Sequence, residues 1–236
     1  MYFLEKKAVN LFISTSQVEY VSQEYFLCFH GVTLVYTIPS VRVKGIVSEK
    51  GCLLPDKNTR LYVQCLESTR LEGKGLEGIK VRELNHLIEA KYGNTKGYFP
   101  LKLYADNPKY IEWGKRVGFI KTLAKIVYKE DSGTVFAKAS RGKTLAVIRA
   151  EIPSGAVEGF LGRIYSTILS LMFYKFFIGE KDREVRLIPV NLSAKVVSLK
   201  AIRVDFPELL GAGILKGEEP KYSFYIKEIS MRIRIE

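Results

Sequence analysis

The chain has 236 residues, 47% of them hydrophobic and 26% charged, which fits a globular protein with a sizeable core and excludes disorder over most of its length. The net charge of +12 is mixed with 25 acidic residues along the chain; there is no block of five like charges and no motif that reads DNA or RNA, so nucleic acid is not the expected partner. The cysteines Cys28, Cys52 and Cys65 and the histidines His30 and His86 form no C-x-x-C pair and no four-ligand zinc set, and so few cysteines point to a reducing cytoplasm.

The first residues, Met1 to Lys7, lack the apolar core and small-residue cleavage site of a secretory leader. No repeat and no Pro/Gly/Ser-rich linker divides the chain, so one domain spanning 1–236 is expected.

Strand signals dominate in chain order. Leu11–Thr15, Tyr25–Phe29 and Val32–Tyr36 are short, aromatic and β-branched, with His30-Gly31 as a candidate tight turn. Val41–Val47 and Leu61–Cys65 are the next expected strands, separated by the turn cluster Leu54-Pro55-Asp56-Lys57-Asn58. Ser68–Gly78 is glycine-rich, has no period and is expected to be a loop. Residues 84–92 alternate: Leu84, His86, Ile88, Ala90 and Tyr92 share one face, and Asn85, Leu87, Glu89 and Lys91 the other. Tyr98–Tyr104 is a further strand.

Asn107 then offers a helix cap and Pro108 suits the first helical position. Gly114 and Gly118 are expected to end that helix. The strand Leu123–Tyr128 follows, then a hairpin of Val135–Ser140 and Leu145–Ile152 around Arg141-Gly142-Lys143. The apolar stretch Phe160–Gly179 contains Arg163 and Lys175, and its uninterrupted run falls short of the ~20 residues a membrane span needs. A helix near 157–170 leading into a strand near 171–178 is expected instead. Strands near 184–188, 195–203 and 223–235 complete the chain. Roughly twelve strands and two helices predict an α+β, mainly β, fold: an antiparallel sheet curled into a barrel or cone with peripheral helices.

Lys121 is the residue that points to chemistry. It lies in an apolar run, after Gly118, Phe119 and Ile120 and before Thr122, Leu123 and Ala124. A lysine amine in water titrates near ~10.4, which leaves under ~1% of it neutral and nucleophilic at pH 7. Desolvation and neighbouring cations both favour the neutral form. Phe119, Ile120, Leu123 and Ala124 supply apolar walls, and Lys115, Arg116 and Lys125 supply positive charge.

The run D-N-P-K-Y-I-E-W-G-K-R-V-G-F-I-K-T-L-A-K-I, Asp106 to Ile126, resembles the signature of the acetoacetate decarboxylase-like superfamily. There a G-R-E-like element leads into a G-F-P-K-K-L-A-like element. The flanks are similar too. Lys96-Gly97 and Tyr104-Ala105-Asp106-Asn107 resemble the strand and turn before the signature. Ser132-Gly133-Thr134-Val135 and Arg141-Gly142-Lys143-Thr144-Leu145 resemble the hairpin after it. Tyr174-Lys175-Phe176-Phe177 and Leu187-Ile188-Pro189 resemble a later strand pair more weakly. The clearest similarity covers 95–152.

The resemblance implies that Lys121 is a Schiff-base nucleophile toward the ketone of a small acidic keto acid. The reaction would be decarboxylation of a β-keto acid or related aldol and dehydration chemistry. It implies no metal or organic cofactor, because the iminium is the electron sink, and it implies a homo-oligomer. Arg116, Phe119 and Glu89 are the expected substrate-binding residues. The sequence departs from the pattern in places. Thr122 stands where a second lysine often follows the nucleophile, Ile120 stands for the proline before it, and Gly114-Lys115-Arg116 for G-R-E. The family's inward-facing strand glutamate aligns with His86, which makes His86 the candidate acid or base. No arginine matches the one the family places near its N-terminal strands. A non-catalytic small-molecule-binding or scaffold protein of the same fold is the alternative that Thr122 and His86 favour. A basic nucleic-acid-binding protein is the other.

Overall fold

β-branched and aromatic residues at period two make this chain a strand former along most of its length. The computed structural model describes residues 23–48, 52–116, 119–153, 174–178, 185–205, 214–215 and 218–235. Their strands are β1 (Gln23–Pro39), β2 (Asn58–Glu72), β3 (Arg82–Tyr92), β4 (Thr95–Ala105), β5 (Thr122–Leu123), β6 (Lys125–Asp131), β7 (Thr134–Arg141), β8 (Lys143–Glu151), β9 (Tyr174–Ile178), β10 (Val185–Ser198), β11 (Lys200–Asp205) and β12 (Tyr222–Ile235). The described helices are α1 (Lys44–Ser48) and α2 (Pro108–Arg116). None of them is long and apolar enough to cross a membrane.

The strands form two sheets. The larger runs β3-β2-β1-β12-β10-β9-β4-β5, and β3 pairs with β4 as well, so the sheet curls round on itself. All its pairings are antiparallel except β4 with β5 and β4 with β9. The smaller sheet runs β11-β8-β7-β6. The mainly β architecture and curled antiparallel sheet expected from sequence are therefore present.

Two apolar cores result. One contains Tyr25, Leu27, Phe29, Tyr110, Trp113 and Phe119 among others. The second contains Leu84 and Ile88 of β3 with Ile126, Tyr128, Val135 and Ile148 of the smaller sheet. Strand β3 contributes to both because successive side chains point to opposite faces.

Two local expectations are corrected. Residues 41–47 are not a strand: Ser40–Arg42 is a 3-10 turn and α1 follows. Val43 and Val47 are buried four residues apart while Val41 is 77% exposed, a helical spacing that the β-branched content conceals. His30-Gly31 is not a turn either, because β1 runs straight through it with a register shift between Phe29 and Gly31. Gly31 has φ +150° and a Cβ there would stand 2.1 Å from the Cys65 carbonyl oxygen, so glycine marks a bulge and a close strand approach. Strand β2 also extends to Glu72, into the segment expected as loop. The expected strand 11–15 and helix 157–170 lie outside the described residues.

Candidate active site

Helix α2 and the bend after it carry Lys121 inward. The Asn107 side-chain oxygen accepts hydrogen bonds from the backbone N–H of Lys109 (3.0 Å) and Tyr110 (3.3 Å). This satisfies helix-start donors that otherwise lack partners. Tyr110 and Trp113 fall on the buried face and stack with ring centroids 5.0 Å apart. Basic Lys115 and Arg116 occupy the last turn, where the helix dipole favours them. The Phe119 N–H then donates to the Gly114 carbonyl (2.6 Å), turning the chain back so that Phe119 stacks on Trp113 at 6.1 Å. Strand β5 pairs in parallel with the end of β4, Tyr104 opposite Thr122 and Ala105 opposite Leu123. Lys121 is thereby delivered to the edge of the sheet and is only 7% exposed.

On the neighbouring strand, Glu83 pairs with Ala105 and Asn85 with Leu103. Period two sets Glu83, Asn85 and Leu87 on the face toward Lys121, and all three line its cavity. Lys121 Nζ and Glu83 Oε1 form a buried ion pair. The other Glu83 oxygen accepts from the Asn85 amide (3.3 Å). Burial first, and then the Glu83 carboxylate to which its phenol hydrogen-bonds, hold the Tyr110 pKa well above the usual phenol value. The Lys121 ammonium also lies 5.0 Å from the Tyr110 ring centroid and 5.5 Å from that of Phe119, within cation–π range. A lone buried ion would cost several kcal/mol, so carboxylate, amide, phenol and ring faces together make this pair tolerable.

The remaining walls are apolar: Leu27 from β1, Met231 and Ile233 from β12, and Leu103 and Pro100 from β4. The cavity measures about 20 Å³, room for about one water molecule. Three buried polar atoms of lining residues have no hydrogen-bond partner in good geometry, the Asn85 side-chain oxygen, the Tyr98 hydroxyl and the Trp113 indole N–H.

The residues singled out from sequence separate. Phe119 and Lys121 line the cavity. His86 does not reach it. His86 is fully buried on the opposite face of β3, between Leu84 and Ile88 of the second core and edge-on to Tyr104 at 6.2 Å. Neither ring nitrogen has a partner in good geometry. Burial pushes its pKa down to about 3, while the backbone of its cross-strand neighbour Lys102 works the other way. Glu89 is away from Lys121, with its carboxylate 3.5 Å from Arg60 and 3.4 Å from the Tyr62 hydroxyl. Arg116 is exposed, its guanidinium 3.0 Å from where a Gly75 Cβ would stand. Lys115 and Lys125 are exposed too. The charge beside the amine is therefore an anion, not the cation expected.

Glu83 is the site residue that the sequence does not single out: period two sets it with Asn85, Leu87 and Glu89 on the face opposite His86, the position that the resemblance favours.

No family model matches the sequence, and no curated protein matches it significantly. Solved structures do match. An acetoacetate decarboxylase-like enzyme from Sphingomonas wittichii aligns over 90% of this chain and 93% of its own, with TM-score 0.64 and 14% identity. Acetoacetate decarboxylase from Legionella pneumophila aligns over 90% and 84%, with TM-score 0.65 and 12% identity. The enduracididine biosynthesis enzyme MppR, solved with pyruvate, aligns over 89% and 88%, with TM-score 0.63 and 9% identity. The chain has the acetoacetate decarboxylase fold. Within that fold, the site brings one buried amine and one buried carboxylate together at a small cavity.

Proposed function

We propose that the protein is an enzyme that forms a Schiff base between Lys121 and a small carbonyl compound. The observation that carries this reading is the burial of the Lys121 amine against Glu83 at a small cavity, the only two charged side chains among its described lining residues. Glu83 takes a proton from the ammonium, the freed amine adds to the carbonyl carbon, and the carbinolamine loses water to give an iminium. Decarboxylation of a β-keto acid, aldol addition and dehydration all start from that iminium. A keto acid is the substrate class that the resemblance implies. Glu83, rather than His86, is the acid–base group in this reading, and Tyr110 and Asn85 hold its carboxylate. We extend the reading to a homo-oligomer, and to a reducing cytoplasm, the latter in keeping with three buried cysteines that form no disulfide.

The test is reductive trapping. The protein is incubated with a panel of aldehydes, ketones and keto acids in the presence of cyanoborohydride, then digested and mapped by mass. The expected result is an adduct on the Lys121 peptide that is lost in Lys121→Arg. An adduct confined to exposed lysines, or none, removes the proposal.

A second reading is a binding or scaffold protein that keeps the fold without the chemistry. The water-sized cavity and Thr122 favour it. It predicts ligand-induced thermal stabilisation without any trapped adduct.

A further inference from the structure

Resting on the Schiff-base reading, we propose that the site accepts neutral, apolar carbonyl compounds, aldehydes or ketones without a carboxylate, in preference to keto acids. The reason is charge balance in a small, buried cavity. Among the described lining residues, the only charged side chains are Lys121 and Glu83, one of each sign. The condensation can be written in full. Lys121 ammonium, Glu83 carboxylate and a carbonyl compound give a protonated imine, Glu83 carboxylate and water. The C–N bond forms, the carbonyl oxygen leaves with both protons that nitrogen gives up, and Glu83 relays one of them. With a neutral substrate the cavity is electrically balanced before and after: one cation, one anion.

A keto acid breaks that balance. Its carboxylate adds a second anion beside Glu83 with no second cation among the described lining side chains. The positions that could have supplied one are Leu27 on β1, Leu103 on β4 and Met231 and Ile233 on β12. An uncompensated buried charge costs several kcal/mol. The three unpartnered polar atoms do not restore the balance: the Asn85 oxygen would repel a carboxylate, and the Trp113 N–H and the Tyr98 hydroxyl are neutral donors that carry no charge. They suit instead the passing hydroxyl of a carbinolamine, or the water released from it. The size of the cavity points the same way, to a small occupant admitted by rotation of lining side chains. Met231 is unbranched and adaptable.

The experiment compares matched neutral and acidic carbonyls on the full chain: methyl acetoacetate against acetoacetate, and acetone against pyruvate. Cyanoborohydride traps the imine. Total adduct on the Lys121 peptide, whatever its mass, is divided by the trapping of a free lysine derivative in the same solution. The expected result is a neutral-to-acid ratio of about ten or more, from the cost of the unpaired anion. A ratio of one or less overturns this inference and leaves the Schiff-base reading intact. No adduct at Lys121 with any compound removes both. Leu103→Arg, which introduces a cation at a lining position, is expected to lower the ratio several-fold in a variant whose thermal unfolding confirms that it folds; an unchanged ratio counts against charge balance as the cause.

Discussion

Lys121 and Glu83 are 38 residues apart in sequence and meet as a buried ion pair between the β5 edge and the inward face of β3. Neither partner is tolerable alone, because removing one leaves the other charged and dry. Glu83→Gln is therefore expected to destabilise the fold by roughly 3–5 kcal/mol. The double variant Glu83→Leu/Lys121→Met, which removes both charges, is expected to recover most of that loss. Urea denaturation of Glu83→Leu, Lys121→Met and the double variant measures the coupling. Additive losses would mean that the two charges are solvated independently.

His86 leads to a prediction about acid. Its folded pKa, about 3, lies below the ~6.5 of an unfolded histidine. Between those values the unfolded chain binds a proton that the folded chain refuses, so stability rises with pH there and is lost on acidification. The slope from this one group approaches ~1.4 kcal/mol per pH unit within the window. His86→Leu is expected to flatten the acid limb of stability against pH and to leave trapping at Lys121 unchanged. A fall in trapping rate without a fall in stability would instead place the imidazole in the chemistry.

The tyrosines set the alkaline limit. Burial holds the phenols of Tyr36, Tyr62, Tyr98 and Tyr110 above their ordinary pKa. The folded chain keeps these protons after the unfolded chain begins to lose its own near ~10. Their contribution is complete below that pH and fades above it, so stability falls as pH climbs past ~10. Absorbance titration near the phenolate band is expected to show fewer ionising tyrosines in the native protein than in urea. Tyr110→Phe removes a phenol held beside Glu83 and is expected to make the alkaline loss shallower.

Much of this fold was legible because strand patterning is local. Alternation placed β3, strand-forming runs and turn signals placed β4, β7, β8 and β12, and Asn107-Pro108 placed α2 with its cap. The failures have physical causes. Val43 and Val47 are β-branched but sit at helical spacing, so propensity misled where burial spacing would not. Gly31 looked like a turn because the bulge against β12 and the close approach to Cys65 of β2 are set by partner strands that local sequence does not reveal. At the site, Lys121 and Phe119 were legible from the apolar run around them. Glu83 was not, because a carboxylate reads as solvated until pairing across β3, β4 and β5 shows what it faces. His86 was assigned to an apolar face correctly, but the curled sheet has an apolar core on each side, and His86 belongs to the one without Lys121.

Gly114 separates the needs of helix α2 from those of the site. In an exposed helix interior, glycine to alanine stabilises by up to ~1 kcal/mol. At Gly114 a Cβ would stand 2.5 Å from the Phe119 carbonyl oxygen and 3.6 Å from Cδ and Cε of Lys121. The oxygen belongs to backbone, so the Phe119–Lys121 bend must move rather than a flexible tip. Gly114→Ala is therefore expected to cost about 1–3 kcal/mol despite the better helix former and to slow trapping at Lys121 by displacing its amine from Glu83. Gly45 in α1 provides the contrast, since nothing lies within 4 Å of a Cβ there. Gly45→Ala is expected to be neutral or stabilising and to leave trapping alone. Parallel thermal melts and trapping rates for the two variants decide the matter; equal effects at both sites would remove the steric account of how α2 aims Lys121.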